Sequence, residues 1–205
     1  VTRDFTSTIF FDPAVFNGEP GDAINLTSSI SLFRSVVIDA SPIPQGVIIS
    51  GSNLSRHFEM DARAAAVSLT SLELTGGNAT GYLAGEGGAI LNEGSGLTLT
   101  RCTLAENTAQ FVGGAISNSS GTLTLEQCTL ANNSITTGGV NNGGGAIFNL
   151  GTLALNHCTV SANTTAQQNQ GGGIINAGTA TTANSIIAGN SVGPFGIASD
   201  ILNND

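Results

Sequence analysis

The chain has 205 residues, with 14 Asp and Glu against five Arg and no Lys, and its formal net charge is −9. A chain this acidic lacks the cationic surface that binding to nucleic acid or to an anionic membrane requires. No apolar run approaches the roughly 18 residues of a membrane-spanning helix, so we expect no membrane insertion.

Residues 1–60 alternate short apolar runs with turn-forming residues and contain no exact repeat. Short runs of this kind, bounded by Gly, Pro, Asn or Asp, are typical of β-strands. This region therefore predicts about three coils of irregular shape. The predicted strands are 5–11, 23–26, 30–32, 36–38, 47–49 and 57–60.

Residues 61–190 contain an internal repeat built from two motifs. The tetrapeptide Gly-Gly-Ala-Ile recurs, and each copy is followed by a second motif. Successive copies of the second motif are 26, 30 and 27 residues apart. The intervals differ because the Gly-, Gln- and Asn-rich stretch before each Gly-Gly pair varies in length. Fixed strands joined by one loop of variable length are typical of a solenoid. The first motif begins at Gly87, Gly113, Gly144 and, in relaxed form, Gly171; the second begins at Cys102, Cys128, Cys158 and Ser185.

Within each copy, apolar residues alternate with polar ones, as in Leu97-Thr98-Leu99-Thr100. Alternation puts one set of side chains on the inner face of a strand, and a single coil cannot bury that face alone. We therefore predict an all-β chain with one domain over 1–205: a single-stranded right-handed parallel β-helix of about eight coils, with three short strands per coil. The right hand follows from the general chirality of parallel strand crossovers.

Two Asn positions recur in every regular copy, and we expect them to stack in columns at corners of the coil. Asn tolerates a left-handed backbone, bonds to nearby main chain and can bond from coil to coil when stacked in register. The alternative is a ligand-binding stripe, but corner positions favour the structural role. The columns are Asn92, Asn118, Asn149 and Asn176, and Asn107, Asn133, Asn163 and Asn190.

The three cysteines occupy one inward position of the repeat, at Cys102, Cys128 and Cys158. Residues stacked on adjacent coils are near enough for a disulfide, but parallel side chains give it poor geometry. An odd number also leaves one thiol unpaired. We therefore expect buried free thiols that act as small hydrophobic side chains.

The paired motifs Gly-Gly-Ala-Ile and aliphatic-x-x-Asn resemble the repeats of bacterial polymorphic outer-membrane proteins and autotransporter passengers. In those proteins the position before x-x-Asn is usually Phe, whereas here it is Leu104, Leu130, Val160 and Ile187. The resemblance covers most of the chain and implies a β-helix at a bacterial cell surface or outside the cell. Because the chain begins at Val1 without a signal-type segment, we expect a processed product or a fragment.

The sequence predicts no enzyme activity, with no catalytic, cofactor-binding or metal-binding residues. The main competing activity on such a fold is polysaccharide cleavage, which uses clustered acids with Ca²⁺ and a basic residue, or paired carboxylates. In the regular copies the acids fall at different repeat positions, and Arg101 is the only cation. An acidic group of Asp12, Asp22 and Asp39 in the irregular coils is the remaining alternative.

Both ends of the predicted solenoid are apolar and carry no recognisable cap. Unpaired strand edges favour end-to-end stacking, which propagates as a filament. We therefore expect a structural protein that binds itself head to tail, with residues 191–205 as a tail or end contact. The alternatives are a glycan- or cell-binding adhesin, and a slice of a longer passenger whose neighbouring segments cover the ends. The predicted interface is Ile9, Phe10, Phe11, Ile186, Ile187, Phe195, Ile197 and Ile201.

Overall fold

A computed structural model describes residues 6–17, 22–64, 66–81, 85–137, 143–166, 171–193 and 196–203. These residues form 24 β-strands and no helix, and therefore no helix that could cross a membrane. The first strands are β1 (Ser7–Phe10), β2 (Ile24–Asn25), β3 (Ile30–Leu32), β4 (Val36–Asp39), β5 (Val47–Ser50), β6 (Phe58–Asp61), β7 (Ala66–Thr70) and β8 (Leu72–Thr75). The next are β9 (Ile90–Thr100), β10 (Thr103–Ala105), β11 (Thr108–Ala109), β12 (Ile116–Glu126), β13 (Thr129–Ala131), β14 (Ser134–Ile135), β15 (Ile147–Asn149) and β16 (Thr152–Asn156). The last are β17 (Thr159–Ser161), β18 (Thr164–Thr165), β19 (Ile174–Asn176), β20 (Thr179–Ala183), β21 (Ile186–Ala188), β22 (Ser191–Val192), β23 (Ile197–Ala198) and β24 (Ile201–Asn203).

The strands stack in four rows that run along the solenoid and belong to three sheets. Rows I and II share the largest sheet, because the long strands β9 and β12 contribute their first half to row I and their second half to row II. The pairs within each row are parallel. Row I is β3, β6, β9, β12, β15, β19 and β24; row II is β1, β4, β7, β9, β12, β16 and β20; row III is β2, β5, β8, β10, β13, β17 and β21; row IV is β11, β14, β18 and β22.

The chain forms a right-handed parallel β-helix, as predicted, but it makes about six turns, so the expected number of eight is wrong. Rows I, II and III contain seven strands each, so about six full turns separate the first level from the last. One of the missing coils lies before residue 61, where the short apolar segments are different faces of the same turns. Strands β1 to β3 form one level and β4 to β6 the next, so this region supplies two levels instead of about three. From β15 onward each turn has four short strands, distributed over the three sheets, where three were expected.

Strand alternation builds the interior from columns of equivalent side chains. One continuous core cluster extends from Val36 to Ile174, and its members are almost completely buried. Burial of an aliphatic side chain contributes roughly 1.5–3 kcal/mol relative to leaving it exposed, so the columns supply most of the stabilisation. Row II contributes the column Ile9, Ile38, Leu69, Leu99, Leu125, Leu155 and Thr182. Row I contributes Ile30, Phe58, Ile90, Ile116, Ile147, Ile174 and Ile201.

The corners between rows use the left-handed backbone region. Between rows II and III, Arg101 and Gln127 have φ values of 52° and 55°, and Ser71, His157 and Asn184 occupy the same corner with similar values. A left-handed conformation costs a residue with a side chain roughly 1–2 kcal/mol. The chain accepts this cost at these five corners because each corner directs the flanking strands onto the stack.

Candidate functional site

The first Asn column forms a continuous ladder of side-chain amides along the solenoid. Asn92 Nδ2 donates to Asn118 Oδ1 at 2.8 Å, Asn118 donates to Asn149 at 2.7 Å, and Asn149 donates to Asn176 at 2.7 Å. Asn176 in turn donates to Asn203 at 3.4 Å. The first three residues are fully buried, so their amides are inaccessible to a ligand and hold successive turns in register.

The second Asn column forms a ladder of the same direction. Asn107 donates through Nδ2 to Asn133 Oδ1 at 2.9 Å, Asn133 donates to Asn163 at 2.9 Å, and Asn163 donates to Asn190 at 2.8 Å. The last member, Asn190, donates through N and Nδ2 to Asp200 Oδ1 at 2.9 and 3.0 Å. A carboxylate is a strong acceptor for such donors. Asp200, which the repeat did not predict, therefore terminates this ladder.

A buried histidine takes the place of Asn in the irregular turns. The Asn residues of the second column donate to the carbonyls of the buried apolar column in row III, as Asn107 does to Leu74 O at 3.0 Å. One turn earlier, His57 Nε2 lies 2.9 Å from Ile49 O, the equivalent carbonyl, and 3.2 Å from Thr75 O. Only N–H can donate to these oxygens, so the ring carries its proton on Nε2. The missing side chain of Gly77 makes room for the ring, whose Cε1 is 2.9 Å from the position that a Cβ would take.

Desolvation of this histidine lowers its pKa to about 4, although its backbone hydrogen bonds act in the opposite direction. The ring is therefore neutral in the folded chain at physiological pH. Sequence analysis missed its role because His57 stands outside the exact repeat. One signal was present: it directly precedes Phe58, at the position where the regular copies have Ala89 and Ala115.

The three cysteines lie in the interior as free thiols. Each Sγ is 3.4 Å from a row II carbonyl of the preceding turn, as Cys128 is from Leu99 O. The hydrogen bond with Cys102 and burial raise the pKa of Cys128 to about 12, and the hydrogen bond with Cys128 and burial raise that of Cys158 further. Raised pKa values make the Cys128 and Cys158 thiols poor nucleophiles, whereas the hydrogen bond with Cys128 lowers the pKa of Cys102.

Several of the described carboxylates accept backbone hydrogen bonds within turns. Asp12 and Asp39 each accept the backbone N–H two residues later, at 2.9 and 2.8 Å, and Asp22 accepts the N–H of Asn17. On the surface, the two carboxylate oxygens of Glu126 accept hydrogen bonds from Asn156 Nδ2, at 2.9 and 3.0 Å. Within the described ranges, no group of three or more His, Cys, Asp or Glu side chains could hold a metal ion.

The N-terminal end of the solenoid exposes strands β1, β2 and β3, which pair only with β4, β5 and β6. Ile9 is 47% exposed and Ile30 is 40% exposed, although both belong to interior columns. Beside them, Phe11 and Phe16 pack against the core with their rings 5.3 Å apart at 84°. These rings hold the first level in place and leave its strand edges uncovered by any described residue.

The C-terminal end exposes strands β20, β21 and β24 as the last members of rows II, III and I. This end is partly closed, because strand β23 folds back onto the last turn, whereas β24 continues row I. Strand β23 pairs antiparallel with β22, and β24 pairs parallel with β19. No described strand covers β20 or β21 on its outer edge.

The predicted interface residues divide between the two ends. Ile9 and Phe10 are exposed at the N-terminal end, where Phe11 is partly buried. At the C-terminal end one residue is partly buried and three are exposed, while Phe195 lies outside the described residues. The partly buried one is Ile187, and the exposed ones are Ile186, Ile197 and Ile201.

Comparison with known proteins finds no protein-family model, no curated protein and no solved structure that matches this chain. The resemblance to bacterial surface repeats is supported at the level of the β-helix and its repeat. The two ends are the most distinctive surfaces of the described part of the chain.

Proposed function

We propose that the chain is a structural protein that assembles head to tail into an extracellular filament, the strands of one copy continuing the rows of the next. The observation that carries the proposal is that each end of the solenoid presents the outermost strand of rows I, II and III. These outermost strands have the same order around the axis at both ends. At the N-terminal end these strands are β3, β1 and β2, and at the C-terminal end they are β24, β20 and β21.

Continuation of the rows would extend two interior columns across the joint. In row I, Ile30 of one copy would stack on Ile201 of another, and both are about 40% exposed in the single chain. In row III, Ile24 would stack on Ile187, and both are partly buried against the core. Stacking would bury these side chains and pair three strand edges at the usual spacing of about 4.8 Å.

Row IV does not obstruct this joint. Among the described residues it begins at β11, bridged to Asn78, so the first levels at the N-terminal end have no strand in this row. At the other end β23 closes row IV with an antiparallel pair. The two surfaces are different from one another, so contact between them is heterologous and propagates instead of closing a dimer.

The extracellular location is part of the proposal and rests on the resemblance of the repeat to bacterial surface β-helices. The Thr residues at outward strand positions and the net charge of −9 are compatible with a chain exposed to water.

Electron microscopy of the purified 205-residue chain tests the proposal. Rows of seven levels at about 4.8 Å predict a subunit repeat of roughly 34 Å along the filament. Monomers alone at high concentration would refute assembly and favour ends covered by other segments of a longer protein.

Two end variants make the test specific. Ile30→Glu blocks the N-terminal end and Ile201→Glu blocks the C-terminal end, so neither should form filaments alone, but their mixture should form dimers through the one intact joint. The matched control is Leu150→Glu, because Leu150 is similarly exposed, at 46%, on the side of the solenoid. Loss of filaments in this control would contradict an end-to-end contact.

A further inference from the structure

A groove with a mainly polar lining lies on the side of the solenoid, at the corner between rows II and III. Its volume is about 220 Å³, and three successive levels contribute to it. None of its residues belongs to an end level, so the groove is open in a single chain and in a filament alike. The polar part of the lining is formed by Gln45, Gly46, Ser71, Glu73, Arg101 and Thr103.

The groove exists because the corner before β5 is longer than the corners that follow it. Residues 40–46 join β4 to β5, whereas Ser71 alone joins β7 to β8 one level later. The longer corner therefore protrudes and forms one wall of the groove. This wall is held in place by the buried side chain of Ile43 and by two turns, in which Ile43 N donates to Ala40 O at 3.0 Å and Gly46 N donates to Ile43 O at 2.9 Å.

Arg101 brings a positive charge with unused hydrogen-bond donors into the groove. Its side chain is exposed, and its Nε lies 3.4 Å from Ser71 Oγ. No carboxylate in the described part of the chain pairs with it, whereas Arg56 pairs with Glu59 at 3.6 Å. A guanidinium presents a planar fork of N–H donors that matches the two oxygens of a carboxylate. The terminal nitrogens of Arg101 can therefore bind a carboxylate of a ligand.

The other polar side chains of the groove suit the hydroxyl groups of a sugar. The amide of Gln45 and the hydroxyl of Thr103 can each donate and accept, and the carboxylate of Glu73 accepts. Although both line the groove, Glu73 and Arg101 form no ion pair with one another, so both can serve a ligand. Leu72 is almost completely buried and offers little surface to an apolar side chain.

The size and charge of the groove limit the ligand further. Its volume is below the roughly 300 Å³ at which pockets for drug-sized molecules begin, and therefore fits a single sugar unit. One arginine balances one negative charge. A phosphate ester with two negative charges would be repelled by Glu73, since like charges in one site disfavour binding.

We infer that this groove binds one sugar unit that carries a carboxylate, such as a uronic or sialic acid at the end of a glycan. Arg101 holds the carboxylate, and Gln45, Glu73 and Thr103 bond to the hydroxyl groups of the ring. This inference does not depend on the proposed filament. In a filament, every subunit would present one such groove along the side.

Saturation-transfer NMR of the parent chain tests the inference, because it observes the sugar and works with single chains and filaments. The probes are the methyl glycosides of glucuronic, galacturonic and N-acetylneuraminic acid, with methyl glucoside and methyl galactoside as neutral sugars. At least one acidic sugar should bind saturably and about tenfold more tightly than either neutral sugar, since its carboxylate forms charge-assisted hydrogen bonds.

The variant Arg101→Gln removes the positive charge from the groove. The corner accepts Gln, because Gln127 occupies the same corner one turn later with a φ of 55°, close to the 52° of Arg101. We expect an unchanged unfolding temperature and about tenfold weaker binding of the acidic sugar. The matched control is Arg34→Gln, which removes the same charge at an exposed position outside the groove and should bind as the parent does.

Three results would overturn the inference. The first is that none of the acidic sugars binds saturably to the parent. The second is equal weakening in Arg101→Gln and Arg34→Gln, which would assign the effect to overall charge. The third is tighter binding of glucose 6-phosphate than of the acidic sugars, which would identify a phosphate site. Filament formation is scored separately by electron microscopy, so its failure affects the proposed function and leaves this inference standing.

Discussion

Members of the same column are buried at the inner turns but exposed or polar at the two end levels. Leu125 is completely buried in the middle of its column, whereas Ile9 at one end of that column is half exposed and Thr182 at the other end is polar. The Asn ladders show the same contrast, because Asn133 is saturated by neighbours on both sides and Asn203 is exposed at the last level.

This difference shows that the fold and the proposed assembly depend on different members of each column. An inner residue has a neighbour above and below within its own chain, so its replacement acts on folding. An end residue has one such neighbour, so its replacement acts mainly on a contact with another molecule. Substitutions at the two places should therefore separate stability from assembly.

The largest loss of stability is expected for Asn133→Ala. The substitution leaves the buried N–H of Asn107 and the carbonyl of Leu104 without the hydrogen bonds that Asn133 provides at 3.0 Å. Each orphaned buried group costs about 1–3 kcal/mol, which together predicts a loss of roughly 4 kcal/mol in the free energy of unfolding. Urea denaturation followed by circular dichroism measures it.

The matched control is Asn203→Ala, which removes the last acceptor of the other ladder at an exposed position. We expect it to change the free energy of unfolding by less than about 0.5 kcal/mol. Equal losses of unfolding free energy for the two variants would show that the contribution of a ladder residue does not depend on its burial. That result would contradict the difference between inner and end levels.

The second prediction compares two members of one aliphatic column. Leu125→Ala should lower the free energy of unfolding by about 3 kcal/mol, because it creates a cavity between Leu99 and Leu155. Ile9→Ala should lower it by less than about 1 kcal/mol, since half of that side chain is already in water. Both variants are measured as non-assembled chains below the critical concentration. A larger loss for Ile9 would mean that the end level is an integral part of the core.

The third prediction concerns His57 and applies to acid conditions. Its pKa is lowered to about 4 in the folded chain, so the unfolded chain binds the proton more tightly. Stability is therefore fully present above about pH 6.5 and falls as the pH decreases toward 4, by about 3 kcal/mol. The variant His57→Gln should lose this part of the acid dependence. The control is His157→Gln, because His157 is exposed at a corner; an unchanged acid profile in His57→Gln would contradict the assignment.

The regular turns could be predicted in detail because strand length, inward residues and corners repeat in the sequence. The four copies of the Gly-Gly motif fix the register of both Asn ladders. The irregular turns could not be predicted as well, since segments such as 23–26 and 30–32 carry no repeat that assigns them to the same level. His57 and Asp200 make hydrogen bonds that Asn makes in the regular turns, but with an imidazole and a carboxylate. A search for repeated Asn does not detect them.

The smallest expected effect tests the corner geometry that joins the rows. Ala162 is exposed and has a φ of 56°, in the left-handed region that glycine adopts without strain. Ala162→Gly should therefore raise the free energy of unfolding by up to about 1 kcal/mol, less the entropy that glycine gains in the unfolded chain. The control Ala131→Gly lies in β13, where the backbone is extended, and should lower stability by about 0.5–1 kcal/mol. Thermal unfolding of the two variants should shift in opposite directions, and a shift of both in the same direction would show that the corner is not strained.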